Sequence, residues 1–314
     1  MNLSRRTIVL AAGCLLLALV PPIAALTNQP FYLDLFRRMM IFAIAAVSLD
    51  LILGYGGMVS FGHAAYLGIG AYAVGIPAFH GLGNGWLQWG LAIAASALTA
   101  LVIGAISLRT SGVAFIMITL AFAQMLYYLG ISLETYGGDN GMRLVGRSEF
   151  GGVIDLRQPA VFYYVVLAIL VLLLALGSRL VASRFGMVIR AAKSNDTRTR
   201  AIGFSPYLYR LAAFVIAGGM CGLAGALLVN HTAYLTPEFM NWTRSGELMF
   251  MVIMGGMATS AGPVLGAFAL LLLEDTLSAL TPHWQIILGP ILVLVVLFAR
   301  RGLAGLLPGK EGDG

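Results

Sequence analysis

Long apolar runs constrain this chain more than any other feature. Several extend for about 17–22 residues between clustered charges, close to the length a helix needs to cross a hydrocarbon core. In lipid, backbone polar groups must find partners within the segment, so such runs are helical. A membrane barrel would show short alternating strands, not continuous apolar blocks. Composition agrees. Of 314 residues, 60% are hydrophobic and 10% charged, against about 25% charged in soluble domains. Mean hydropathy is +0.91. The fold class is an all-α polytopic membrane protein. No polar segment is long enough for a soluble domain, so residues 1–314 read as one transmembrane domain.

The pattern places ten spans near 7–26, 39–54, 61–79, 88–108, 112–132, 160–180, 210–230, 247–258, 263–280 and 284–300. The eighth is too short to cross alone and reads as broken or re-entrant. Arg5 and Arg6 before an apolar run resemble a twin-arginine export signal. That run is nearly span length and lacks an Ala-x-Ala site, which favours an uncleaved first helix.

Basic residues collect on cytoplasmic loops. Residues 183–210 carry Arg184, Arg190, Lys193, Arg198, Arg200 and Arg210 against Asp196, and the tail carries Arg300, Arg301 and Lys310. Both belong inside. The loop at 133–159 is nearly balanced and suits the outside. Ten crossings with both termini cytoplasmic satisfy these observations. Arg37 and Arg38 would open the second span from outside, which calls for snorkelling or a different count. Topology also accounts for the net charge of +6 without nucleic acid.

Much chemistry is missing. Cys14 and Cys221 lie in apolar runs and read as small buried hydrophobes, with no metal-ligand spacing. Around Gly309–Lys310 a P-loop fails, because Ala304 replaces its first glycine and Glu311 its Ser/Thr. Glu274 and Asp275 are adjacent on a helix and diverge by about 100°. An enzyme is disfavoured, and no cofactor is expected on this chain.

Polar groups inside spans are costly and usually face the bundle interior. Asp50 sits one helical turn before Gly54, on the same face. It either bonds a neighbouring helix or stands on a transport path. His63 has the same two roles open. Gln124 and Asn230–His231 suit interhelical hydrogen bonds. Tyr127, Tyr128, Tyr163 and Tyr164 suit an aromatic belt.

The stretch "GYGGMVSFGHAAYLGIGAYAVG" (54–75) holds seven glycines among apolar residues. Gly54, Gly56 and Gly57 mark a helix break, tolerable in a membrane where it is buried or lines a cavity. Ala64-x-x-x-Gly68 and Ala71-x-x-x-Gly75 give close-packing faces. A weak echo follows: Gly56-Gly57-Met58 leads to Gly62 and Gly68, and Gly255-Gly256-Met257 to Gly262 and Gly266. By span count both fall near the cytoplasmic side.

Residues 183–210 read as two short helices. Phe185, Val188, Ile189 and Ala192 form an apolar face among basic residues. Asn195 or Asp196 caps the second helix, Gly203 ends it, and Ser205–Pro206 opens the next span. Such a loop either rests near anionic lipid head groups or docks in a partner's groove.

Taken together, these motifs resemble the LivM-type permease subunit of branched-chain amino-acid ABC importers, from about residue 40 to 306. "LDLILGYGGMVSFGHAAYLGIGAYA" is similar to that family's early glycine motif. "YGGDNGM" (136–142) is similar to its outer-loop motif, and "GGMATSAGPVLGA" (255–267) to its late glycine motif. "SRFGMVIRAAKSNDTRTRAIGFSPYLYR" is similar to its cytoplasmic coupling loop. Ser60-Phe61-Gly62-His63 differs from the Asn-Phe-Ala-His of the LivH-type sister subunit.

The resemblance implies a multi-pass inner-membrane importer subunit working by alternating access. Its partners would be a LivH-like permease, two cytoplasmic ATPases that carry the ATP, and a periplasmic binding protein. It implies Arg184, Gly186, Arg190, Asn195, Arg198 and Gly203 as coupling-loop positions. Asp50, Ser60, His63 and Tyr66 are the pathway candidates. Asp50 stands where the family usually has Asn, and Gln124 where Glu is common, which leaves the substrate open to urea, amides or aromatic acids. The rival is an ion-coupled secondary transporter using Asp50.

Overall fold

The computed structural model describes residues 13–27, 29–144, 146–152, 154–298 and 302–306. The described part of the first span is helical and ends in α1 (Val20–Thr27). Then come α2 (Pro30–Asp50), α3 (His63–Phe79), α4 (Gly85–Ser107), α5 (Val113–Ser132) and α6 (Pro159–Ala182). Two short helices, α7 (Arg184–Ser194) and α8 (Asp196–Ala201), lead into α9 (Pro206–Thr232). The chain closes with α10 (Trp242–Gly255), α11 (Gly262–Leu280) and α12 (Trp284–Phe298). Among the described residues, five helices are long and apolar enough to cross a membrane: α4, α5, α6, α9 and α11. Residues 7–12 of the first expected span, with Arg5 and Arg6, lie outside the described residues, as do Arg300, Arg301 and Lys310 of the tail.

Local sequence sets the helix starts. Pro30, Pro159, Pro206 and Pro263 stand in first turns, where proline's fixed φ and missing N–H cost nothing. Asn84 caps α4 by accepting from the amides of Trp86 and Leu87. A two-residue antiparallel ribbon joins the loop after α5 to the chain after α9, pairing Met142 with Leu235 and Arg143 with Tyr234.

The second span starts nine residues earlier than expected, at Pro30 rather than 39. Arg37 argued against apolar surroundings, yet it is 2% exposed. Its Nε donates to His231 Nδ1 at 2.9 Å, and its guanidinium pairs with Asp34 and lies 4.8 Å over the Phe162 ring. Protein partners, not snorkelling, hold the guanidinium through Nε and Nη2, while its buried Nη1 has no hydrogen-bond partner. Arg38 reaches Glu274 at 3.5 Å. The eighth span is indeed short. After Leu235 comes a 3-10 turn, Pro237–Met240, then the 14 residues of α10.

The core is α9 packed between α3 and α4. Its apolar window is 78% buried, against 22–33% for the other four long helices. Small residues permit the approach. A Cβ on Gly70 would strike the Gly222 carbonyl, and one on Gly225 the Leu67 carbonyl. Ser96 Oγ donates to the Tyr66 carbonyl at 3.1 Å across the α3–α4 contact.

Gly70→Val and Gly225→Val should therefore each destabilise the purified protein in detergent by about 1–3 kcal/mol. Gly90→Val, with open space around it, should leave thermal unfolding unchanged. Equal melting of all three would refute the interlock.

Candidate functional site

At its end α2 continues into one π-helical turn, Leu51–Tyr55. Such turns loosen the helical ladder and recur at functional sites. A Cβ on Gly54 would collide with the Asp50 carboxylate and the Ala258 amide, so nothing larger fits. Gly57 then takes φ +68°, in the left-handed region that favours glycine. The amides of Gly57 and Met58 turn back to the carbonyls of Leu53 (3.1 Å) and Ile52 (2.9 Å). Residues 57–60 are non-helical before α3 begins at His63, with Gly62 against the Thr119 carbonyl.

A second glycine turn follows α10. Gly256 has φ +113° and Ala258 φ +57°. Thr259 Oγ1 donates to the Gly256 carbonyl at 2.8 Å and accepts from the Gly262 amide at 3.0 Å. The two turns meet. The Ala258 amide donates to Asp50 Oδ1 at 2.9 Å, and Asp50 is 3% exposed. Both glycine turns therefore lie at one end of the bundle, joined through Asp50 and Ala258.

The loop after α6 reaches the same end. Asn195 caps α8, its side chain accepting from the Arg198 amide at 2.8 Å. Gly203, at φ +90°, follows α8. Ser205 occupies the position before Pro206 but makes no side-chain cap. Gly186 packs against the Val181 backbone, allowing the sharp turn from α6 into α7. The apolar face of α7 points inward: Val188, Ile189 and Ala192 are buried, and Phe185 packs on Tyr209. The outward residues include Arg184, Met187, Arg190, Arg198 and Ile202. The chain's own bundle, not an outside groove, covers that apolar face. Lys193 reaches back from α7, its Nζ donating to the Gly54 carbonyl at 2.7 Å. Arg210 joins Asp196 at 3.0 Å and donates to the Ala192 carbonyl at 3.0 Å.

The four residues expected on the pathway separate. Asp50 lines a cleft between α2, α6, α9 and the second turn, with Tyr55, Ser178, Met220, Thr259 and Ser260. Ser60, His63 and Tyr66 do not line that cleft and are fully buried. His63 Nε2 meets Ser48 Oγ at 2.8 Å, and its ring packs edge-on to Tyr66, which packs edge-on to Phe214. Gly68 faces Met240. At the opposite end the 133–159 loop is pinned to α9. Ser148 N donates to Asn230 Oδ1 at 2.8 Å, and Arg147 donates to the Asn230 and Leu156 carbonyls.

Sequence reasoning missed Ser48, Ser245 and Ala258, and counted Lys193 merely as a loop charge. Ser245 Oγ accepts from the Ala64 amide at 3.0 Å, completing the start of α3. One signal was available: Ser48 is a polar residue in the same apolar run as Asp50, two residues before it.

A bundle that interrupts its helices in the apolar region and seats a basic helical loop against the interruption has the build of a membrane transport protein. The chain belongs to the branched-chain amino acid transport system / permease component family, whose sequence model matches residues 31–297. It is similar to the high-affinity branched-chain amino acid transport system permease protein LivM of Salmonella typhimurium, at 26% identity over 294 residues, covering 86% of this chain and 69% of that one. The corresponding permease protein LivH of Escherichia coli is 24% identical, covering 84% and 91%. The xylose transport system permease protein XylH of Escherichia coli is 33% identical over 138 residues, 41% of this chain and 35% of its own. No solved structure matches.

The Asp50–Ala258 bond separates two substitutions. Asp50→Asn keeps an acceptor oxygen and should unfold close to wild type in detergent. Asp50→Leu strands a buried amide and should cost about 1–3 kcal/mol. Equal stability of the two variants would show that the bond holds nothing.

Proposed function

We propose that this chain is a permease subunit of an ATP-driven importer for branched-chain or related amino acids. It works by alternating access in the inner membrane, as one transmembrane domain with ten crossings and both termini cytoplasmic. A second permease subunit, two ATPases carrying the ATP, and a periplasmic binding protein complete the importer. The observation that carries this reading is the seating of the 183–210 loop. Its apolar face anchors on the bundle, and its basic face, with Arg184, Arg190 and Arg198, stays outside beside the glycine turn. That arrangement offers an ATPase a handle on the break. Gly186, Asn195 and Gly203 shape the handle.

The substrate class rests on the relatives that span most of the chain, both named for branched-chain amino acids. Asp50 is the pathway residue at a cleft in this conformation. Ser60, His63 and Tyr66 would join the path when the bundle rocks and α3 parts from its neighbours. Urea, amides or aromatic acids are the alternatives within the same importer type.

Proteoliposomes holding the chain with its partner permease and ATPases should take up a branched-chain amino acid, delivered by the binding protein, when ATP is supplied. Uptake by the chain without ATPases, driven by an ion gradient, would replace the importer with a secondary transporter. Arg190→Glu with Arg198→Glu should sharply reduce ATPase co-purification. Undiminished co-purification would remove the loop's docking role.

A further inference from the structure

Lys193 stands apart from the other loop cations. It is one of two lysines in the sequence, the other being Lys310. The arginines of the loop point outward or brace the loop itself, whereas Lys193 crosses from α7 to the end of α2. There it makes two separate contacts. Its Nζ donates to the Gly54 carbonyl, in the π-helical turn where the regular ladder ends. Carbonyls at a helix end need outside donors, and a cation also suits the negative end of the helix dipole. Its stem lies over Gly57, where a Cβ would approach Lys193 Cγ to 3.0 Å. Gly57 is thus constrained by its left-handed φ and by the lysine stem together.

The contact continues inward. Gly54 is wedged against the Asp50 carboxylate and the Ala258 amide. Asp50 and Ala258 are hydrogen-bonded to each other. A path of direct contacts therefore runs from α7, through Lys193, into both glycine turns. Every step is a polar bond or a close backbone approach. A hydrogen bond of 2.7 Å tolerates little displacement before it breaks.

We propose that Lys193 is the positioning residue that transmits movement of the coupling loop to the paired glycine turns. The proposal rests on the importer reading for its mechanical input and adds the output. The outward arginines would receive the ATPase. Lys193 would carry the shift to the Gly54–Asp50–Ala258 junction, which opens or closes the cytoplasmic end of the cleft.

The test compares Lys193→Met, which keeps the stem but loses the donor, with Lys193→Arg, which keeps a cationic donor. In the full-length chain in lipid nanodiscs, hydrogen exchange at the Gly57, Met58 and Ala258 amides should quicken several-fold in Lys193→Met. It should stay near wild type in Lys193→Arg. Amides in the middle of α3 should not change in either. In the assembled importer, Lys193→Met should retain ATPase subunits and ATP hydrolysis, while amino acid uptake per ATP falls about 5-fold or more. Lys193→Arg should restore most of it. Unchanged exchange at both turns would overturn the contact path. Quickened exchange with unchanged uptake per ATP would reduce Lys193 to a helix cap. ATP-independent uptake by the wild-type chain would instead overturn the importer reading and leave the exchange result standing.

Discussion

Within a hydrocarbon core no water is available to bond a broken helix end. An unsatisfied backbone group costs several kcal/mol there, so each interruption must be repaired from inside the protein. This chain interrupts its helices repeatedly, and distant elements make the repairs. The Gly54 carbonyl is met by Lys193, 139 residues away. Asp50 meets the Ala258 amide across 208 residues, and Ser245 completes the start of α3 across 181. Each break thereby becomes a tie between segments. Continuous helices would need none of these bonds, and would also lack the connection from the loop to the core.

Such ties require close backbones, and close backbones require small residues. Lipid tails compete with apolar side chains, so helices in a membrane associate through packing and hydrogen bonds. Gly222 makes room for the Ser96 side chain of α4, while α3 and α9 meet through Gly70 and Gly225, where carbonyls fill the places Cβ atoms would take. Gly255, Gly262 and Gly266 do the same between α10 and α11. Glycine therefore serves two roles: it sets left-handed turns at Gly57 and Gly256, and it removes bulk elsewhere.

The parts legible in the sequence were those governed by local rules. Apolar runs located most of the helices to within a few residues, apart from the second. The two loop helices followed from Asn195, Gly203 and Pro206. The second span's start was hidden because Arg37 looks intolerable in an apolar run until Asp34, His231 and Phe162 are seen around it. Their placement depends on how distant helices pack. The direction of α7's apolar face was hidden for a similar reason. Periodicity identifies a face but does not say whether the chain's own bundle or another protein covers it. Ala258 gave no signal, since its role comes from a backbone amide.

α3 and the paired glycine turns differ in how readily they can yield. Along the length of α3, contacts with α9 are backbone against backbone, and sliding would have to expel or overlap carbonyls. Packed interfaces of this kind are bistable at best and do not deform continuously. The glycine turns are another matter. Ala258 holds a left-handed φ that costs an L-residue about 1–2 kcal/mol, comparable to what one hydrogen bond returns. The junction is held by the Asp50 bond on one side and the Lys193 bond on the other. Its net stability is small beside that of the interlocked helices. The bonds at this junction are few, polar and partly offset by strain, so it can yield before the interlocked helices do.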